Sequence, residues 1–227
     1  MPVAVQLGHS GDVVGGTRSA YAAAMSFFKR NRAELEQLGI DPERLPPGQY
    51  HTKRFPVLQA GSIPDVDLET WDFVVDGLVE EPVTWRWNDI EVMPSEDMTT
   101  DIHCVTKWSK FNTTWRGIPV SHVWNEITPK SEATHVLVNA YHGFTANLPI
   151  EDFLRSPNMF AHTYEGELLD LEHGYPLRLV VPHLYFWKSV KWVRGFTLIH
   201  GDQPGFWERN GYHMYGDPFT EQRYWGD

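Results

Sequence analysis

The residues best able to carry chemistry lie in one stretch, Asp101-Ile102-His103-Cys104-Val105-Thr106-Lys107-Trp108-Ser109, followed by Trp115-Arg116-Gly117. Cys104 is the single cysteine of the chain. One cysteine excludes an intramolecular disulfide framework and any site made of four thiolates, so thiol chemistry runs through one sulfur. A thiolate is a good ligand for a soft or high-valent metal. His103, Lys107 and Arg116 would favour the deprotonated sulfur wherever folding brings them near it. A buried cysteine acting as a small hydrophobe is the simpler account of the same residue, and composition does not choose between them. Further on, His173-Gly174-Tyr175-Pro176-Leu177-Arg178-Leu179-Val180-Val181-Pro182 and Ser189-Val190-Lys191-Trp192 bring two cations into short, ordered motifs. A guanidinium can hold an anion in a bidentate way and an ammonium as a point charge. Taken singly, Arg178 and Lys191 are more simply surface ion-pair partners.

Taken together and in this order, the motifs resemble those of the sulfite oxidase superfamily, oxidoreductases that hold molybdenum on a single molybdopterin and supply one protein ligand, a cysteine thiolate. The run from Cys104 to Ser109, then Trp115-Arg116-Gly117, is similar to the Cys-Val-x-x-Trp-Ser…Trp-x-Gly pattern of a bacterial branch. That branch includes the catalytic subunit of the protein-methionine-sulfoxide reductase. His173 to Arg178 resembles the superfamily's pterin-binding His-Gly-x-Pro-x-Arg segment, and Ser189 to Trp192 its Ser-Val-Lys-Trp continuation. With Asp72 to Gly77 upstream and the tail from Gly205 to His213, the resemblance runs from about Tyr50 to the end of the chain. It implies an α+β fold, a single domain with mixed β-sheets. It also implies molybdenum ligated by Cys104 and one molybdopterin per chain held by His173, Arg178, Ser189, Val190 and Lys191. Further contributions are implied from the loop Phe55 to Gln59, with Phe55 and Gln59 as the residues, and from the turn Asn139 to His142, with Asn139.

The sequence departs from the superfamily at two places. Sulfite oxidases follow the metal-binding cysteine with an arginine-bearing stretch that helps form an anion pocket. Here Val105 to Ser109 offer only Lys107, which weakens sulfite as a substrate. Counting back from His173, their active-site tyrosine falls at His162, with Tyr164 as the alternative if the register slips. His162 can move protons near neutral pH, whereas a loop histidine is otherwise structural. The resemblance thus implies oxygen-atom transfer on a small or peptide-borne substrate that is sulfoxide-like or a sulfite-like oxyanion. Electrons would pass to or from a separate carrier. Without an immunoglobulin-like dimerisation domain, a monomer is expected. Two other readings stand beside it: a noncatalytic pterin-binding scaffold, and a zinc hydrolase built on His103, Cys104 and other histidines. No His-x-x-x-His or Cys-x-x-Cys spacing supports the latter.

Composition sets the bounds. The 227 residues are 41% hydrophobic and 22% charged, which is a globular balance. Nineteen Lys and Arg against 30 Asp and Glu leave a net charge of −11, which opposes nucleic acid and anionic membranes as partners. No stretch approaches the roughly 20 apolar residues of a membrane span. The first residues carry neither a secretory nor a twin-arginine signal, so a cytoplasmic protein is expected. Residues 1–17 are expected to form a flexible arm, 18–49 an amphipathic helix over Arg18 to Leu38 and a linker, and 50–227 the oxidoreductase domain. Strands are expected at Trp71–Val75, His135–Asn139, Arg178–Val181 and Val190–Ile199. Short helices are expected at Trp87–Val92, Pro119–Ile127 and Pro149–Arg155. The ten tryptophans read as core and pocket wall rather than as a base-stacking platform.

Overall fold

The computed structural model describes residues 31–227, so the expected arm and the first part of the N-terminal helix lie outside the described residues. The chain divides into two units, Met1–Arg44 and Leu45–Asp227. In the first, residues 31–37 are helical. Gly39, at a φ of 69°, ends the helix as expected: its N–H donates to the Glu36 carbonyl, and that of Ile40 donates to Leu35.

The second unit holds two mixed sheets. In one, β1 (Tyr50–His51), β5 (Trp108–Pro119), β8 (Met159–Tyr164) and β10 (Arg178–Val180) lie side by side, with β4 (Glu96–His103) also pairing β5 and β9 (Glu167–Leu168) pairing β8. The other runs β3 (Val83–Arg86), β2 (Asp72–Gly77), β11 (Val193–Ile199), β6 (His135–Ala140), β7 (Thr145–Pro149). The expected strands and helices are present with shifted ends. The helices are short, at Trp87–Ile90, Val120–Asn125 and Ile150–Phe153, and a fourth occurs at Phe206–Arg209.

Alternation explains the packing. Along β2, Phe73 and Val75 are buried while their neighbours are partly exposed. Phe73 meets Phe160 of β8 edge-on at 5.0 Å, and Phe153 and Phe196 meet at 4.9 Å. The main core therefore lies between the two sheets. The expected strand Val190–Ile199 starts three residues late, because Trp192 sits at a φ of 54° and breaks the extended backbone. β5 was not expected from its sequence, since its inward positions include Thr113 and Gly117 in place of aliphatic residues.

Cys104 lies in a second buried cluster, with Val105, Trp108, Trp115, Tyr185 and Trp187 among its members. It begins the tight loop between β4 and β5. The Cys104 N–H donates to the Trp108 carbonyl at 2.8 Å and the Lys107 N–H to the Cys104 carbonyl at 2.9 Å, and Lys107 adopts a left-handed φ of 77° to close the turn.

Candidate functional site

A cleft opens beside this loop. Its walls are the segment Phe55–Ala60, Cys104 to Thr106 with Trp108, the turn at Tyr141–Phe144, the turn at Phe186 and Trp187, Ser189 to Trp192, and Phe206, Trp207 and Tyr212. His173 and Arg178 complete the lining. About 1030 Å³ of atom-free space lies within it, open solvent at the mouth included. Of the residues expected to meet a cofactor or metal, Cys104, Phe55, Gln59, His173, Arg178, Ser189, Val190 and Lys191 all line this one cleft.

Each side chain is held by identifiable forces. Arg178 opens β10 and is 1% exposed. Its Nη1 donates to the His173 carbonyl at 2.8 Å and its Nη2 to the Ser189 carbonyl at 2.9 Å. The guanidinium lies 4.4 Å from the centre of the Phe186 ring, while its Nε is buried without a partner. Burial pulls this group down to about 9, against the influence of Tyr164 and Asp170. Lys191 donates to the Glu172 carbonyl at 2.8 Å and the Leu58 carbonyl at 3.0 Å. Burial, and then the neighbouring Arg178, pull it down to about 8. Both groups are cations at neutral pH, they repel one another, and the oxygens these bonds engage are neutral. Such a pair favours an added anion.

His173 is fixed from both sides. Nδ1 faces the Asp170 carboxylate at 2.9 Å and Nε2 the Phe55 carbonyl at 3.2 Å, and the Phe55 ring stacks on the imidazole at 4.0 Å. Burial raises the Asp170 carboxyl, but hydrogen bonds from His173 outweigh it and leave the group below its usual value. Gly174, at a φ of 115°, turns the chain here. A Cβ on it would stand 3.1 Å from the Arg178 Cβ and 3.2 Å from the Lys191 Cα, so glycine lets the two cation-bearing segments close together. Ser189 contributes backbone: its hydroxyl accepts from the Val181 N–H at 2.9 Å.

Cys104 is 8% exposed, with its sulfur 3.2 Å from the Thr106 hydroxyl. Burial pushes the thiol up, against that hydrogen bond and the charge of Arg223. Of the three cations considered near it, none lines the cleft: Lys107 is exposed, Arg116 pairs with Asp97 at 3.0 Å, and the Nδ1 of His103 meets the Ser109 hydroxyl at 2.8 Å.

Two expected site residues lie elsewhere. Asn139 belongs to β6, and its amide donates to the Thr197 hydroxyl at 2.9 Å, which in turn donates to Asp76 at 2.6 Å. The strand holds it within the second sheet, away from the cleft, although Tyr141 and His142 just after it do line the wall. His162 falls where the β5–β8 register slips: Arg116 pairs Thr163 and Gly117 pairs Ala161, which leaves His162 unopposed. Its ring turns to Ser95, 3.1 Å from Nε2, and to Thr163, 2.8 Å from Nδ1. Burial and Arg116 lower it. Tyr164, the alternative, packs behind the wall, 4.9 Å from the Phe55 ring and 4.6 Å from Trp115, with its hydroxyl accepting from Lys110.

The tryptophans were expected as core and pocket wall, and Trp108, Trp187, Trp192 and Trp207 do line the cleft, together with Tyr212, which was not singled out. Trp207 and Tyr212 stack at 4.9 Å, and Tyr212 meets Trp187 edge-on at 5.1 Å, beside Cys104. Trp207 and Tyr212 fall within the motif tail from Gly205 to His213. Among the described residues no group of three or more His, Cys, Asp or Glu side chains gathers as a metal cluster, so the zinc reading finds no such cluster there. The donor set suits a pterin phosphate in its chemistry: a buried guanidinium and a half-buried ammonium whose hydrogen bonds go to neutral oxygens, an unpartnered buried Nε, close backbone, and a thiol in the same cleft.

Residues 60–207 match the family of oxidoreductase molybdopterin binding domains. The chain is 45% identical over 185 residues to the uncharacterized oxidoreductase YuiH of Bacillus subtilis, covering 81% of this chain and 93% of that protein. It is 27% identical over 164 residues to the protein-methionine-sulfoxide reductase catalytic subunit MsrP of Gluconobacter oxydans, spanning 64% of this chain and 52% of that one. Its fold is similar to the sulfane dehydrogenase SoxCD of Paracoccus pantotrophus, with a TM-score of 0.58 and 23% identity, over 66% of this chain and 42% of that one.

Proposed function

The chain belongs to the oxidoreductase molybdopterin binding domain family, and on that premise we propose that its cleft takes one molybdopterin whose molybdenum has Cys104 as its protein ligand, for oxygen-atom transfer on a sulfoxide-like substrate. The observation that carries this reading is the convergence of Cys104, His173, Arg178 and Lys191 on one cleft. In it, Arg178 and Lys191 would hold the phosphate end, His173 and the Ser189–Val190 backbone would orient the pterin, and the Cys104 sulfur would serve as the metal's protein ligand. When bound, the cofactor supplies two-electron redox chemistry, and the electrons pass to or from a separate carrier. The chain's own residues bind, orient and limit water. Near Cys104 the wall is Trp108, Phe186, Trp187, Trp207 and Tyr212, a surface suited to a neutral, weakly polar group more than to an oxyanion. The sulfoxide reading is therefore preferred to the sulfite one.

The test is expression in a host that makes the cofactor, followed by metal and pterin analysis. About one molybdenum per chain is expected, lost or displaced from sulfur coordination in Cys104→Ser, with sulfoxide reduction exceeding sulfite oxidation in dye-linked assays. Full activity of Cys104→Ser, or zinc without pterin, overturns the reading.

A further inference from the structure

We infer that Gln49 and Arg223 are positioning residues for Cys104, clamping the loop that presents its sulfur to the cleft. The inference rests on the reading of Cys104 as a ligand. The loop from Cys104 to Lys107 closes on its own backbone at Trp108, and Gln49 bridges that closure from outside. Its Nε2 donates to the Cys104 carbonyl at 3.0 Å and reaches the Trp108 carbonyl at 3.4 Å. Arg223 holds the next residue: Nη1 donates to the Val105 carbonyl at 2.9 Å, while Nη2 donates to the Pro47 carbonyl at 3.1 Å. One guanidinium thus ties the loop to the segment that carries Gln49. Between them, Gly48 has a φ of 69°, and a Cβ there would lie 2.5 Å from Glu221 Oε1 and 3.1 Å from Arg223 Nη2. Glycine is favoured here chiefly by the positive φ, since the closest atoms are the movable ends of the Glu221 and Arg223 side chains.

Burial indicates that these donors are there for the loop. Gln49 is 0% exposed, and its Oε1 is buried with no hydrogen-bond partner. A hydrophobic residue would fill the same space without stranding an acceptor, so the donor half of the amide is what the position uses. Arg223 is 7% exposed. Neither residue lines the cleft, so each acts on a bound group only through Cys104, as outer residues do when they orient a metal ligand.

The test uses Gln49→Leu, Arg223→Met and Arg223→Lys. In cofactor-free protein, hydrogen exchange at the Cys104 and Lys107 amides is expected to quicken by roughly tenfold or more in Gln49→Leu and Arg223→Met, with the sheets unchanged. In loaded protein, pterin content is expected to stay near that of the parent. The sulfur-to-metal charge-transfer absorption shifts and broadens, and turnover falls roughly tenfold. Arg223→Lys, which keeps the charge and a donor, recovers part of both signals. Exchange and absorption that superimpose on the parent in Gln49→Leu and Arg223→Met overturn the inference. If Gln49→Leu does not fold, the Arg223 pair decides. Cys104→Ser separates the two claims. If its absorption matches the parent, the ligand reading fails and exchange alone judges the clamp. If it loses the bands while the clamp variants keep both the bands and the parent's exchange, only the clamp fails.

Discussion

The hydrogen bonds of Arg178 and Lys191 go to neutral oxygens, with Asp170 acting on both only through space, and the consequence is measurable. The Lys191 ammonium holds its proton less tightly in the folded chain, at about 8, than its ordinary value of 10.5. Between those values the unfolded chain carries the extra proton, so this group's contribution to stability rises with pH through that window. Anion binding is favoured by the charged lysine and therefore runs the other way. Sulfate, whose charge is constant, is expected to raise the melting temperature of the cofactor-free protein at about pH 7, and to do so much less at about pH 9.5. A thermal-shift titration at both pH values checks this, with Lys191→Met showing a smaller dependence, the remainder belonging to Arg178 at about 9. His162 offers a sharper contrast. A proton relay contributes about 10² to 10⁴ in rate, but this ring is engaged with Ser95 and Thr163 away from the cleft. His162→Ala is expected to change dye-linked turnover by less than about threefold, well short of the loss of a relay.

Short connections between strands, more than the strands themselves, set the cleft's geometry. The His173–Gly174 turn lets the cation-bearing segments converge. Gly174→Ala is expected to destabilise by about 1–3 kcal/mol through strain at positive φ and crowding of Arg178 and Lys191. Pterin content should fall with it, read by a melt and by pterin fluorescence. The packing between the sheets is a separate matter. Phe196 is 0% exposed and touches Phe73, Phe153 and Phe160. Phe196→Ala should cost about 3–5 kcal/mol and lower the melting temperature by on the order of 10 °C. These elements were legible to different degrees. β2, β6 and β11 could be read because Phe73, Val75, Val136, Val138, Phe196 and Leu198 alternate with more exposed positions. β5 hid its alternation behind Thr113 and Gly117, whose inward orientation follows from neighbours that only folding supplies.

For the whole molecule the net charge of −11 acts at long range. If a separate carrier exchanges electrons with the centre, its rate should depend on its own charge. Reaction with a basic c-type cytochrome is expected to slow as ionic strength rises from about 10 to about 150 mM, while an acidic carrier should gain. Stopped-flow measurement of the loaded protein checks both signs. Among the described residues no helix is long and apolar enough to cross a membrane. The sequence by itself determined the chemistry on offer. One thiol, an ordered set of His, Arg, Ser and Lys motifs, and an acidic balance are properties of residue types and spacing, which survive without coordinates. Tertiary structure decided which of these residues share a cleft. It brought His173, Arg178 and Lys191 to Cys104, left Asn139 and His162 elsewhere, and supplied Gln49 and Arg223 from the far ends of the domain. The reason is physical. Strand register and bulges fix where a side chain points, and a single-residue slip at His162 redirects a ring that motif counting places in the site. Contacts such as Arg223 to Val105 join residues over a hundred positions apart, and local spacing holds no record of them.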